Sequence, residues 1–173
     1  METLDYPNTQ AGVSVETLKS ASIFGALSDE GIRFLLSRGR ILALADNEAL
    51  FLEGEPGDSF YVVLDGRIDY FRNSVTGELL LRSAGFGEQL GYVSMVGLIP
   101  RAGVARARSR TVVLEVSSTL FFEFHEALPF DFGIIMLNLA RDLSRIVIYL
   151  GDKLESVRAR ELALRAETTP LQL

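Results

Sequence analysis

Gly87-Glu88-Gln89-Leu90-Gly91-Tyr92-Val93-Ser94-Met95-Val96-Gly97-Leu98-Ile99-Pro100-Arg101-Ala102-Gly103-Val104-Ala105-Arg106-Ala107 is the stretch around which the chain is organised. A glycine-rich turn leads into a short apolar helical segment of small side chains. A Pro-Arg pair follows, and then a strand in which small or apolar residues alternate with arginine. This order suits an anion pocket. Amides left free near a helix N-terminus carry partial positive charge, glycines allow close approach to the backbone, and one arginine can grip a phosphate through two N–H groups.

Upstream, from Arg40 onward, short apolar runs are cut by turn clusters at Asp46-Asn47-Glu48, Gly54-Glu55-Pro56-Gly57-Asp58, Asp65-Gly66, Asn73 to Gly77 and Ala84-Gly85. Such spacing predicts antiparallel strands joined by hairpins and closed into a barrel or roll, because Asp-Gly and Gly-x-Pro-Gly supply the backbone angles that tight turns need. The pattern continues to a last strand at Val112 to Val116. The fold class is α+β, mainly β: an eight-stranded jelly-roll-like β-roll, or double-stranded β-helix. Residues 1–13 read as a loose N-terminal segment. Ser14 starts a short helix, and Ser28, with Asp29 and Glu30 in the first turn, caps a second that runs to about Arg38. Residues 14–137 thus form the roll with its flanking helices.

Downstream, Ser117-Ser118 caps a helix carrying Phe121, Phe122 and Phe124, most simply core and hinge packing, and Pro129 opens a further helical stretch. From about Phe130 to Glu167 the signal is one long helix, with Gly133 and Gly151 its weak points. Ala140, Leu143, Val147, Leu150, Leu154, Val157, Glu161 and Leu164 recur at spacings of three and four, a heptad seam with one acidic interruption. Such a seam is satisfied by a second copy, so residues 138–167 predict a long C-terminal helix serving a parallel homodimer. Residues 168–173 are a tail with no room for a helix-turn-helix, so no DNA-reading half is expected.

The composition narrows the function. There is no cysteine, which excludes disulfides and zinc-thiolate sites. No leader or membrane-spanning run is evident, so a cytoplasmic protein is expected. The net charge of −6 disfavours a general affinity for nucleic acid or anionic membrane, so attraction to phosphate must be local, as at Arg101. Arg106, Arg108 and Arg110 alternate along one strand face, read as a solvated outer face with a basic nucleic-acid stripe as the alternative. A single histidine, His125, is too few for a β-roll metalloenzyme, and Glu48, Glu53, Glu55 and Asp58 lack calcium-loop spacing, so no metal, cofactor or catalytic residue is expected.

Three phrases carry a family resemblance, and they occur in family order between about Leu18 and Leu154. Phe24-Gly25-Ala26-Leu27-Ser28-Asp29-Glu30 is similar to an N-terminal helical phrase Phe-x-x-Leu-Ser-Asp-Glu. Leu50 to Gly66 is similar to a strand-turn-strand phrase, with Asn47 in place of a frequent glycine. Gly87 to Ala107 resembles the phosphate-binding cassette of cyclic nucleotide-binding domains, the sensor modules of catabolite activators, kinase regulatory subunits and nucleotide-gated channels. The resemblance implies a cyclic nucleotide ligand, cAMP or cGMP, held by Leu90, Gly91, Tyr92, Val93, Ser94, Pro100, Arg101, Ala102, Gly103 and Val104, with Ile146 of the long helix packing on the base. Arg101 would be the phosphate ligand. Three positions depart from the pattern: Tyr92 stands where the family carries the glutamate that accepts from the ribose 2′-hydroxyl, Val104 where a Thr or Ser is common, and Ala102 lacks a hydroxyl. Two readings follow. One is a sensor that signals to an unidentified partner protein by rearranging its C-terminal helices; the other is a dimeric interaction module that no longer binds nucleotide.

Overall fold

The computed structural model describes residues 1–4 and 14–168. Two compact units make up the chain, Met1–Asn138 and Leu139–Leu173.

In the first unit, nine strands among the described residues form two antiparallel sheets. One contains, in spatial order, β1 (Glu2–Leu4), β2 (Arg40–Leu44), β9 (Thr111–Ser117), β4 (Ser59–Asp65) and β7 (Gln89–Leu90). The other contains β3 (Ala49–Phe51), β8 (Val104–Ala107), β5 (Ile68–Ser74) and β6 (Gly77–Ala84). Side chains from both sheets meet in one apolar interior that includes Leu42, Phe51, Tyr61, Val63, Ile68, Leu90, Ala105 and Val113. The strand period of two explains how β4 serves two layers. Tyr61 and Val63 point into the roll, while Phe60, on the other face, meets Phe121 edge to face at 5.6 Å between ring centroids. β4 is therefore buried along nearly its whole length and reads as a continuous apolar run.

β2 to β9 supply the eight strands expected of the roll; the ninth is β1, pairing with β2 from Glu2↔Ala43 to Leu4↔Ile41. The expectation of a loose segment over 1–13 is thus corrected at residues 2–4, where an otherwise free sheet edge takes up three residues as a strand. Residues 5–13 and the tail residues 169–173 lie outside those described, as does the side chain of Leu164.

Serine caps start the helices, as the sequence suggests. Ser14 accepts from the amide of Thr17 ahead of α1 (Val15–Leu18), Ser28 from Gly31 ahead of α2 (Asp29–Arg38), and Ser117 from Leu120 ahead of α4 (Ser118–Ala127). Phe121 and Phe124 are buried, whereas Phe122 is 61% exposed, because the helical repeat turns it away from the face that carries the other two. The expectation of packing for all three is corrected at Phe122. On the outer face of β8, Arg106 pairs with Glu78 at 2.6 Å; Arg108 and Arg110 are solvent-exposed. Among the described residues no helix is long and apolar enough to cross a membrane.

The helix α5 (Pro129–Thr168) runs without interruption past Gly133 and Gly151. Its first turns belong to the first unit, where they are tied by polar contacts that the sequence does not advertise. The buried Asp131 carboxylate accepts from the Ser28 amide at 2.8 Å and from the Ser28 hydroxyl at 2.6 Å, so the cap of α2 is itself held by another helix. Asn138 donates to the carbonyls of Ile23 and Gly25. In the second unit, Val147, Leu150, Leu154 and Val157 of the heptad seam are all exposed.

Removing the buried Asp131 carboxylate takes two charge-assisted hydrogen bonds from Ser28, one to its amide and one to its hydroxyl. Asp131→Ala is expected to lower stability by about 1–3 kcal/mol, read as a lower denaturant midpoint at unchanged m-value.

Candidate functional site

β7 delivers the chain to Gly91, whose φ of +82° is a left-handed conformation that a side chain disfavours. From there α3 (Tyr92–Gly97) makes its short run, ended by Leu98 in a left-handed conformation. The next residues are gripped by the turn between β3 and β4. The amide of Arg101 donates to the Glu55 carbonyl at 2.8 Å, and the amide of Gly54 donates to the Arg101 carbonyl at 2.9 Å. Gly57 allows the close approach: a β-carbon there would collide with the Ile99 carbonyl and the Ser94 side chain. The Gly-Glu-Pro-Gly turn is thus a clamp that fixes where the Arg101 side chain starts.

That side chain turns inward. Arg101 is only 3% exposed, its Nη1 donates to the Gly91 carbonyl at 2.9 Å, and its Nη2 donates to the Ser59 hydroxyl at 3.0 Å. A β-carbon on Gly91 would lie 2.5 Å from Nη1, so a side chain there would have to push the guanidinium aside as well as strain φ. The guanidinium stacks over Phe51, 4.6 Å from the ring centroid, with Tyr61 at 5.6 Å, a cation–π arrangement. Its Nε–H is buried and has no acceptor, and among the described residues no carboxylate pairs with it. Burying a cation against neutral dipoles alone is unfavourable. This corner of the roll is accordingly a place where an anion would be stabilised.

The Ser59 hydroxyl that receives Arg101 donates in turn to Tyr61 Oη at 3.1 Å, and Tyr61 donates to Glu115 Oε1 at 3.3 Å. Burial raises the Tyr61 pKa, which keeps the phenol in its donating form. Glu115 also meets Arg40 at 3.2 Å, with Arg40 and Tyr61 flanking it in register on the two neighbouring strands.

Of the residues expected at the site, Gly91 and Arg101 are in direct contact. Leu90 lies in the apolar interior, Tyr92 and Ser94 are buried in and at the start of α3, and Val93 is half-exposed. Pro100 is exposed, Ala102 is half-buried, and Gly103 and Val104 are buried. Gly103 sits against Tyr70, whose hydroxyl would lie 2.9 Å from a β-carbon at that position. Ile146 lies on α5 in the second unit, half-buried. Sequence reasoning missed Ser59, Phe51, Tyr61, Tyr70 and Glu115. Phe51, Ser59 and Tyr61 stand inside a recognised phrase, but as strand residues they carry no mark distinguishing site from core. His125 is on α4, edge to face with Phe132. Among the described residues no group of three His, Asp or Glu side chains is placed to hold a metal ion.

Comparison with known proteins agrees with this fold. The family model described as cyclic nucleotide-binding domain matches residues 41–127, half of the chain. A cyclic AMP receptor protein of Thermus thermophilus is 29% identical over 129 residues, 74% of this chain and 58% of that protein. A cAMP-dependent protein kinase regulatory subunit of Yarrowia lipolytica is 26% identical over 118 residues, 66% of this chain and 30% of the relative. The chain therefore spans less than two thirds of the length of either curated relative. The solved catabolite activator protein of Thermus thermophilus superposes with a TM-score of 0.70 at 25% identity, covering 79% of this chain and 63% of that one. With the roll, the cassette and the inward arginine in place, the chain belongs to the cyclic nucleotide-binding domain family.

Proposed function

We propose that the chain is a regulatory sensor that binds cAMP or cGMP in the cytoplasm, with Arg101 gripping the cyclic phosphate and with Leu90 to Ser94 and Pro100 to Val104 lining the ligand. The observation that carries this reading is the Arg101 guanidinium: buried and, among the described residues, unpaired with any carboxylate and holding a donor without an acceptor. A phosphodiester supplies the missing charge and accepts from Nε–H. The relatives named for cyclic AMP support the adenine nucleotide as the first ligand to try. The occupied site shifts the C-terminal helices, which report to a partner protein. The exposed seam of Val147, Leu150, Leu154 and Val157 makes the working form a parallel homodimer through α5.

A second reading rests on Tyr92. It is only 1% exposed and occupies the position of the family glutamate. A ribose hydroxyl meeting a phenol in place of a carboxylate loses about 1.5–3 kcal/mol of charge-assisted bonding, roughly a 10- to 100-fold weakening. If that loss is complete, the domain is a dimeric interaction module.

Calorimetric titration of nucleotide-free protein with cAMP and cGMP separates the two. The sensor is expected to give heat and a rise in Tm, and Arg101→Ala to weaken affinity by one to two orders of magnitude. No heat and no thermal shift at about millimolar nucleotide would leave the interaction module. Gly91→Ala is expected to displace Arg101 and to destabilise the domain by about 1–2 kcal/mol, measured by denaturant unfolding. For the dimer, Leu150→Glu with Leu154→Glu is expected to give a monomer by sedimentation equilibrium, and a wild-type monomer at micromolar concentration would exclude it.

A further inference from the structure

The hydrogen bonds around Arg101 do not stop at its first partners. They run with one polarity, from the guanidinium to Ser59, from Ser59 to Tyr61, and from Tyr61 to Glu115, so that each hydroxyl accepts on the cation side and donates on the anion side. Ser59 and Tyr61 are i and i+2 on β4, and Glu115 lies opposite Tyr61 on β9, so all three project from one face of one sheet. Both hydroxyl residues are buried, where aligned dipoles are screened least. The outer end is a carboxylate that is itself only partly accessible and is shared with the exposed Arg40.

We propose that Ser59, Tyr61 and Glu115 are positioning residues that supply the counter-charge for Arg101 through two hydroxyl groups and thereby set how strongly the site takes up an anion. Glu115 and a bound phosphate neutralise the same cation. They are therefore coupled with negative sign: the stronger the relay, the less Arg101 gains from a ligand. Such a device keeps a buried arginine ordered in the free protein and moderates the affinity of the occupied site. Arg101 orientation by the relay is independent of any ligand; only the coupling to a phosphate rests on the function proposed above.

A double-mutant cycle on the full chain tests the relay without ligand. Glu115→Gln and Tyr61→Phe are each introduced into wild type and into Arg101→Met, with Arg40→Met as the parallel background. Both substitutions are expected to lower Tm in wild type and in Arg40→Met, and to change it little once Arg101 is gone. Equal losses in every background would mean ordinary packing and overturn the proposal, as would losses that vanish only with Arg40. Should Arg101→Met fail to fold, the Arg101 Nε–H resonance decides instead. Its solvent exchange is expected to accelerate at least about tenfold in Tyr61→Phe, and an unchanged rate would refute the relay. The sign of the ligand effect is the readout that a structural role cannot imitate. Titrated with cAMP, Glu115→Gln is expected to bind about three- to tenfold tighter than wild type although it is less stable, and weaker binding would overturn the coupling. If wild type itself takes up no cAMP, the sensor function fails and the cycle alone judges the relay.

Discussion

A guanidinium withdrawn from water must find compensation in its immediate surroundings, and most of what is particular to this domain follows from having placed Arg101 there. It is the one buried cation among the described residues. The other buried charged groups are carboxylates with close hydrogen-bonding partners: Asp131 holds the cap of α2 through Ser28, and Asp69 accepts from Ser83 at 2.5 Å. The direct partners of Arg101 are a carbonyl, a hydroxyl and two aromatic faces, which orient it and carry no formal charge of their own. A site of this kind is stable enough to persist and unsatisfied enough to favour an anion.

The fold bears the constraint with separate pieces. The turn from Leu52 to Asp58 holds the backbone of Arg101 from one side, and Gly91 gives up its β-carbon so that the guanidinium can lie against the chain entering α3. Phe51 and Tyr61 come from different sheets, so the aromatic faces around the cation exist only when the roll is closed. Stability and site geometry therefore depend on the same contacts. The glycines and the Pro-Arg pair work as parts of one mechanical assembly rather than as independent ligands.

Tyr92 shows how a family site can be retuned without losing its frame. It begins α3, as a residue following the left-handed Gly91 should, and it is buried there. What changes is chemistry: a phenol stands at the position where the family pattern carries an ionised acceptor, while Arg101 remains buried. In the sensor proposed here, one negative charge fewer at the site favours the phosphate end of a nucleotide while penalising its ribose. The net ligand preference is the balance of those two terms.

Much of this was legible in the residues alone, because short-range chemistry dictates it. Apolar runs punctuated by Asp-Gly and Gly-Glu-Pro-Gly specify antiparallel strands and tight turns; Ser28 and Ser117 specify helix starts; and the run from Gly87 to Ala107 specifies a turn, a short helix and an arginine. The burial of Arg101, its hydroxyl relay to Glu115, the aromatic faces of Phe51 and Tyr61, the strand at Glu2–Leu4 and the hold of Asp131 on Ser28 were decided only by the tertiary structure. Each of these joins residues far apart in the chain, and no local pattern records which strand will lie beside which, or which side chain will end up without water and in need of a partner.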